Sequence, residues 1–161
     1  MRAIDSLLTE YAESHQTKLN IAIHYICVPL IFFSLIGLLA SIPMPEAVTN
    51  AIPMALLPYA HVGTLVILFG LIYYLRLSIV LFIGMLLFSA LVLLGIHQIA
   101  QLQIAPLWLI MMIIFVVAWI GQFIGHNHEG KKPSFLKDLQ FLMIGPAWTM
   151  SHLFDALHIK F

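Results

Sequence analysis

Two short patterns in this 161-residue chain carry the residue types that hold metals. The first reads Tyr11-xxx-His15-xxxx-Asn20-xxx-His24-xxxx-Pro29. The second runs Gln122-Phe123-Ile124-Gly125-His126-Asn127-His128-Glu129-Gly130-Lys131-Lys132-Pro133. Imidazole is the commonest metal ligand among side chains, and burying it in hydrocarbon without a partner costs on the order of a few kcal/mol. Cys27 is the only cysteine, which excludes an intramolecular disulfide and any thiolate cluster. A donor set made mostly of imidazole, with a carboxylate at most, suits Fe(II) or Zn(II).

Spacing decides which of these residues can meet. Tyr11 and His15 are four apart, as are Asn20 and His24, so each pair shares a helix face. His15 and His24 are nine apart, half a turn out of phase on one continuous helix. A break near residues 17–19 would let both point at one centre. If a helix persists to Glu129, then Gln122, His126 and Glu129 form one stripe at i, i+4 and i+7, with Trp119 one turn earlier. Such a stripe gives a ligand together with polar groups that orient it. His128 points the opposite way and joins only if the helix end unwinds before Gly130. His152 and Asp155, three apart, offer a further ligand with its carboxylate, or else a bond that keeps a partly buried helix satisfied.

Each feature also has an ordinary reading. His15 alone is a solvated surface residue, His24 bonds a neighbouring helix, and residues 122–129 are a polar helix end. His61 and His97 read as interfacial groups on the far side, His158 as incidental near the frayed terminus, and Trp108, Trp119 and Trp148 suit the headgroup belt and core packing.

The elements that must position these side chains lie in a lipid-like sequence. The chain is 62% hydrophobic and 9% charged, with a mean hydropathy of +1.04, outside the range of soluble domains. At about 20 residues per crossing, the pattern predicts a single all-α membrane domain over residues 1–161 with four transmembrane helices, at about 19–39, 54–75, 77–96 and 106–124. An amphipathic helix over 3–18 precedes them at the membrane surface. The tail, 139–159, reads as an interfacial or re-entrant helix packed under the bundle. Gly121 and Gly125 form a small-xxx-small pair that lets the fourth helix approach a neighbour closely. The N-terminus lacks the apolar stretch of a cleavable signal peptide.

Seven basic residues set the expected topology. Arg2 and Lys18 precede the first span, Arg76 sits between the second and third, and Lys131, Lys132, Lys137 and Lys160 follow the fourth. All fall on one side, which puts both termini in the cytoplasm. His15, His24, His126, His128, His152 and His158 share that half of the chain; His61 and His97 face away. A net charge of zero gives no electrostatic case for nucleic acid. Gly-rich phosphate loops, G-x-S-x-G elbows and H-E-x-x-H zinc motifs are missing from the sequence.

At its two histidine patterns, and at Gly145-Pro146-Ala147-Trp148, the chain resembles the yeast 2-hydroxy fatty acid dioxygenase family, small multi-pass membrane proteins of fatty acid alpha-oxidation. The likeness spans nearly the whole length. It implies an Fe(2+) enzyme that converts a 2-hydroxy fatty acid and O2 to a fatty acid one carbon shorter. On that resemblance the metal ligands would come from His15, His24, His126, His152 and His128. Glu129, Gln122 and Asn20 would relay protons or orient ligands, and Lys131, Lys132 and Tyr11 would meet the substrate. Relatives often carry an acidic residue after Gly-Pro where this chain has Ser151, His152 and then Asp155.

The expected partners are the substrate, O2 and membrane lipid; a homodimer is left open, and the short chain favours a bacterial inner membrane over the endoplasmic reticulum. Three rivals belong to other classes. A haem-binding electron carrier would clamp haem between two imidazoles. A histidine-containing proton or solute transporter would need ionisable groups through the depth of the spans, where this chain has almost none. A two-iron hydroxylase would need His-xx-His-His boxes, which are missing.

Overall fold

The computed structural model describes residues 3–13, 15–130 and 143–160. They form helices α1 (Ala3–Ala12), α2 (Lys18–Ala40), α3 (Glu46–Thr49), α4 (Val62–Leu77), α5 (Ile79–Leu102), α6 (Leu107–His128) and α7 (Ile144–Ala156), with a 3-10 turn at Met54–Tyr59. No strand occurs among the described residues. Lys131, Lys132 and Lys137 lie outside them.

Three of these helices, α2, α5 and α6, are long and apolar enough to cross a bilayer. The expected second span is shorter than predicted. Pro53 and Pro58 hold residues 54–59 in the 3-10 turn, and His61 caps α4 by accepting from the Thr64 backbone N–H at 3.3 Å. The resulting helix has 16 residues, about 24 Å, less than a bilayer core requires. In compensation α5 runs on through His97 and Gln101 to Leu102, where a break had been expected, and ends at Gln103 in a left-handed conformation. The turn between α4 and α5 is as tight as predicted: Ser78 ends one helix and caps the next, accepting from the Leu81 N–H.

The helices pack around Ile36, Leu81, Met85 and Met111, all fully buried. Large apolar side chains on the outer faces, among them Phe69, Ile83, Leu87, Leu91, Val117 and Ile124, are exposed. A bundle apolar inside and outside has a face for lipid. The most extensive helix pair is α2 with α6, and the glycine pair on α6 allows it. A Cβ at Gly121 would lie 2.6 Å from Cys27 Sγ, and one at Gly125 would collide with Asn20 Oδ1.

Both terminal helices join the bundle. α1 ends at Ala12, six residues earlier than predicted, and turns its apolar stripe inward, with Ile4 and Tyr11 buried. It packs on α7, which also contacts α2 and α5. Tyr74 Oη donates to the Met143 carbonyl at 2.6 Å and fixes the start of α7. Gly84 lets α7 sit close to α5, where a Cβ would meet Phe154 Cζ at 2.5 Å.

Candidate metal centre

The site begins with the break between α1 and α2. α1 stops at Ala12 and α2 starts at Lys18, capped by Thr17 Oγ1, which accepts from the Asn20 N–H. The interruption removes the half-turn mismatch between His15 and His24. Their rings stand 4.0 Å apart edge to face, and His126, near the end of α6, closes the triangle at 5.2 Å from His15 and 5.0 Å from His24. One nitrogen from each ring lies within 4.8 Å of the others. All three side chains are 1–4% exposed.

Hydrogen bonds set the tautomers of two rings. His15 Nδ1 donates to the Tyr11 carbonyl at 2.7 Å and His24 Nδ1 to the Asn20 carbonyl at 2.8 Å, each four residues back on the chain. Carbonyl oxygen only accepts, so Nδ1 carries the proton and Nε2 keeps its lone pair. Metal-bound histidines have this arrangement. His126 differs: neither nitrogen has a hydrogen-bond partner among the described residues, although both are buried. An orphaned buried polar atom costs about 1–3 kcal/mol, and a cation in the centre of the triangle would satisfy it. Imidazole nitrogens bind first-row ions such as Zn(II) at about 2.0–2.1 Å, and the three donors are grouped closely enough to be a candidate site for one ion. Three neutral imidazoles fit a divalent first-row metal.

A carboxylate ties the two halves of the site together. Glu129, one turn beyond His126 at the end of α6, accepts from the Gln16 N–H at 2.7 Å, the Thr17 N–H at 3.3 Å, Thr17 Oγ1 at 3.2 Å and Asn20 Nδ2 at 2.7 Å. Burial by itself raises the Glu129 pKa. The bonds from Asn20, Gln16 and Thr17 outweigh it and hold the carboxyl at about 2, below its ordinary 4.5. The chain then turns away at Gly130, whose φ of +71° suits a residue without Cβ.

Trp148 of α7, itself buried, packs beside the triangle. Its ring is 5.4 Å from Tyr11, 5.4 Å from His15, 5.7 Å from Tyr25 and 4.2 Å from His152. Tyr11 stacks on His15 at 4.4 Å with ring planes 14° apart.

With this geometry in place, comparison with known protein families matches residues 1–157 to the family described as 2-hydroxy-palmitic acid dioxygenase Mpo1-like. The chain belongs to that family. No significant match is found among curated proteins or among solved structures.

Set in this Mpo1-like chain, the residues predicted to carry the site fall into three groups. His15, His24 and His126 come together, with Asn20 and Glu129 bonded beside them and Gln122 buried one turn before His126. His152 and His128 do not join the triangle. His152 lies against Trp148 and Tyr25, and its Nδ1 donates to the Trp148 carbonyl at 2.9 Å, so its own helix orients it. His128 is exposed at the end of α6, as its register on an unbroken helix requires. Lys131 and Lys132 fall outside the described residues.

Sequence reasoning missed the place of Trp148 between the triangle and His152. The available signal was Trp148 followed four residues later by His152, which stacks the two on one helix face. It also missed the backbone of Gln16 and Thr17 as the partner of Glu129.

Proposed function

We propose that this chain is a membrane-embedded, Fe(II)-dependent dioxygenase that converts a 2-hydroxy fatty acid and O2 to the fatty acid one carbon shorter, carbon dioxide and water. The observation that carries the reading is the convergence of three buried histidines, one with both nitrogens unsatisfied, in a Mpo1-like chain. The reaction balances without a further reductant: oxidative loss of the carboxyl carbon removes four electrons, the number one O2 accepts.

His15, His24 and His126 would hold the ion, which when bound supplies a Lewis acid for the 2-hydroxy acid and a redox centre for O2. The protein's part is to fix and shield. The carbonyls of Tyr11 and Asn20 hold two imidazoles with Nε2 inward. Tyr11 and Trp148, both buried, pack against His15 and keep water out of the triangle. Glu129 clamps the α1–α2 turn to α6; with Gln122 and Asn20 it makes up the polar surroundings through which a proton would pass. Lys131 or Lys132 would help neutralise the substrate carboxylate. With α4 counted as a fourth crossing, the distribution of basic residues favours a cytoplasmic place for both termini and the triangle.

The test is metal analysis of the detergent-purified protein, then oxygen uptake with 2-hydroxypalmitate and mass spectrometry of the product. Stoichiometric non-haem iron and a C15 acid are expected. A preparation without iron, or full turnover after His126→Ala, would sink the proposal, and a Soret band would favour a haem carrier instead.

A further inference from the structure

Next to Tyr25 and His152, whose rings both contact Trp148, there is a cavity of about 470 Å³ between α2, α5 and α7. Tyr25 and Pro29 of α2, Phe88 of α5, and Met150, His152 and Leu153 of α7 contribute to its lining. The volume is in the range of small-molecule sites, about 300–1,000 Å³, and so is the character: apolar walls with a few polar groups. Its depth is that of lipid tails. Pro29 is eleven residues into α2 and Phe88 nine into α5, or roughly 16 and 14 Å along helices that rise about 1.5 Å per residue. The hydrocarbon core is about 30 Å thick, so these residues reach toward its middle.

Two of its polar groups lie side by side, the Tyr25 and His152 rings being 5.5 Å apart. Tyr25 and His152 both face Trp148, and Trp148 contacts His15. Tyr25 follows His24 in sequence, so cavity and triangle share the same turn of α2. A ligand that fits has a long apolar chain toward Phe88 and Leu153 and a polar head at Tyr25 and His152.

From this arrangement we infer that the cavity holds the alkyl chain of the 2-hydroxy acid, with its head directed past the Tyr25–His152 pair toward the triangle. The inference rests on the proposed dioxygenase reading. It gives His152 a substrate-binding place outside the ligand set, and it has the chain enter sideways from the bilayer.

Two measurements on the full-length protein in lipid nanodiscs test it. In the first, Thr149→Trp and Ala156→Trp narrow the cavity from α7, whose residues 149 and 156 also line it. The ratio of kcat/KM for 2-hydroxypalmitate to that for 2-hydroxyhexanoate should fall about tenfold or more, because only the long chain reaches the added ring and small misplacements of a substrate are costly. An unchanged ratio in folded, iron-loaded variants overturns the inference. In the second, wild-type protein is irradiated with a 2-hydroxy fatty acid bearing a mid-chain diazirine. Cross-links at 25–29, 88 and 149–156, displaced by excess 2-hydroxypalmitate, support it; cross-links spread over the lipid faces of α4 and α6 overturn it. If the wild type oxidises neither acid, the dioxygenase reading fails, and the cross-linking pattern still decides the cavity.

Discussion

Asn20 and Glu129 are joined by a 2.7 Å hydrogen bond across 109 residues of sequence. Asn20 also gives its backbone carbonyl to His24 Nδ1, so one residue orients a candidate ligand and binds the carboxylate next to another. The short distance between α2 and α6 makes this double role possible, and Gly125 sets that distance.

Replacing Glu129 with alanine removes the acceptor for four donors at the α1–α2 turn. A loss of about 1 kcal/mol or more is expected from the part-buried Thr17 and Asn20 donors left behind, with weaker iron retention because His15 sits on that turn. Thermal unfolding and iron content of Glu129→Ala check this. Glu129→Gln keeps one acceptor oxygen and should fall between the two.

The same carboxylate predicts a pH dependence. Its folded pKa of about 2 lies below the ordinary 4.5, so folding favours the ionised form. The stabilisation is fully present above about pH 4.5 and is lost as pH falls toward 2. Comparing thermal stability of metal-free wild type and Glu129→Gln across that window isolates the contribution. Curves that stay parallel between pH 5 and 3 would show that Glu129 is not the group responsible.

Loss of any one triangle histidine should strip the metal. Changing a residue that merely orients a ligand costs about 10–100-fold in metal affinity, and His15→Ala, His24→Ala or His126→Ala should cost more. His128→Ala removes an exposed ring outside the triangle and should retain its iron. The iron-to-protein ratio after gel filtration separates the cases.

Gly125→Ala should act through geometry, since its new Cβ would strike Asn20 Oδ1. Overpacking of this kind costs about 1–3 kcal/mol, and the shift of α6 away from α2 should also lower iron content. Gly130→Ala, with no neighbour within 4 Å but a positive φ, should lower stability while leaving iron binding intact. The pair distinguishes helix separation from backbone strain.

Removing metal from the wild type should be reversible and destabilising. An ion that binds only the folded chain at a hundred times its Kd adds about 2.7 kcal/mol, visible as a rise in Tm when Fe(II) is returned after chelation. A triangle variant such as His126→Ala should show no such rise.

How far these features were legible in the sequence depended on how local their causes are. The mismatch of His15 and His24 on one helix is a matter of counting residues, and it demanded the break that Thr17 caps. The Gly121/Gly125 pair likewise announced a close helix contact. The start of α4 was harder, because residues 54–60 are apolar and hydropathy does not register the prolines and the His61 cap that keep them out of the helix. The end of α5 erred the other way: polar residues at 97–103 lower hydropathy while the backbone stays helical to Leu102. The contact of Trp148 with His15 joins residues 133 apart, and neither helical nor strand periodicity encodes it.

The triangle draws on the first and last long helices, with His24 and His126 separated by about a hundred residues of chain. Synthesis at about 5–20 residues per second leaves several seconds or more in which the first two ligands are made and the third is not. During that interval a metal ion meets at most a two-histidine site, and three-fold binding waits until α6 has been inserted and has reached α2. If the triangle holds a metal as proposed, its loading would report that the whole bundle has been assembled, and a chain stalled after α5 would leave the membrane machinery unmetallated.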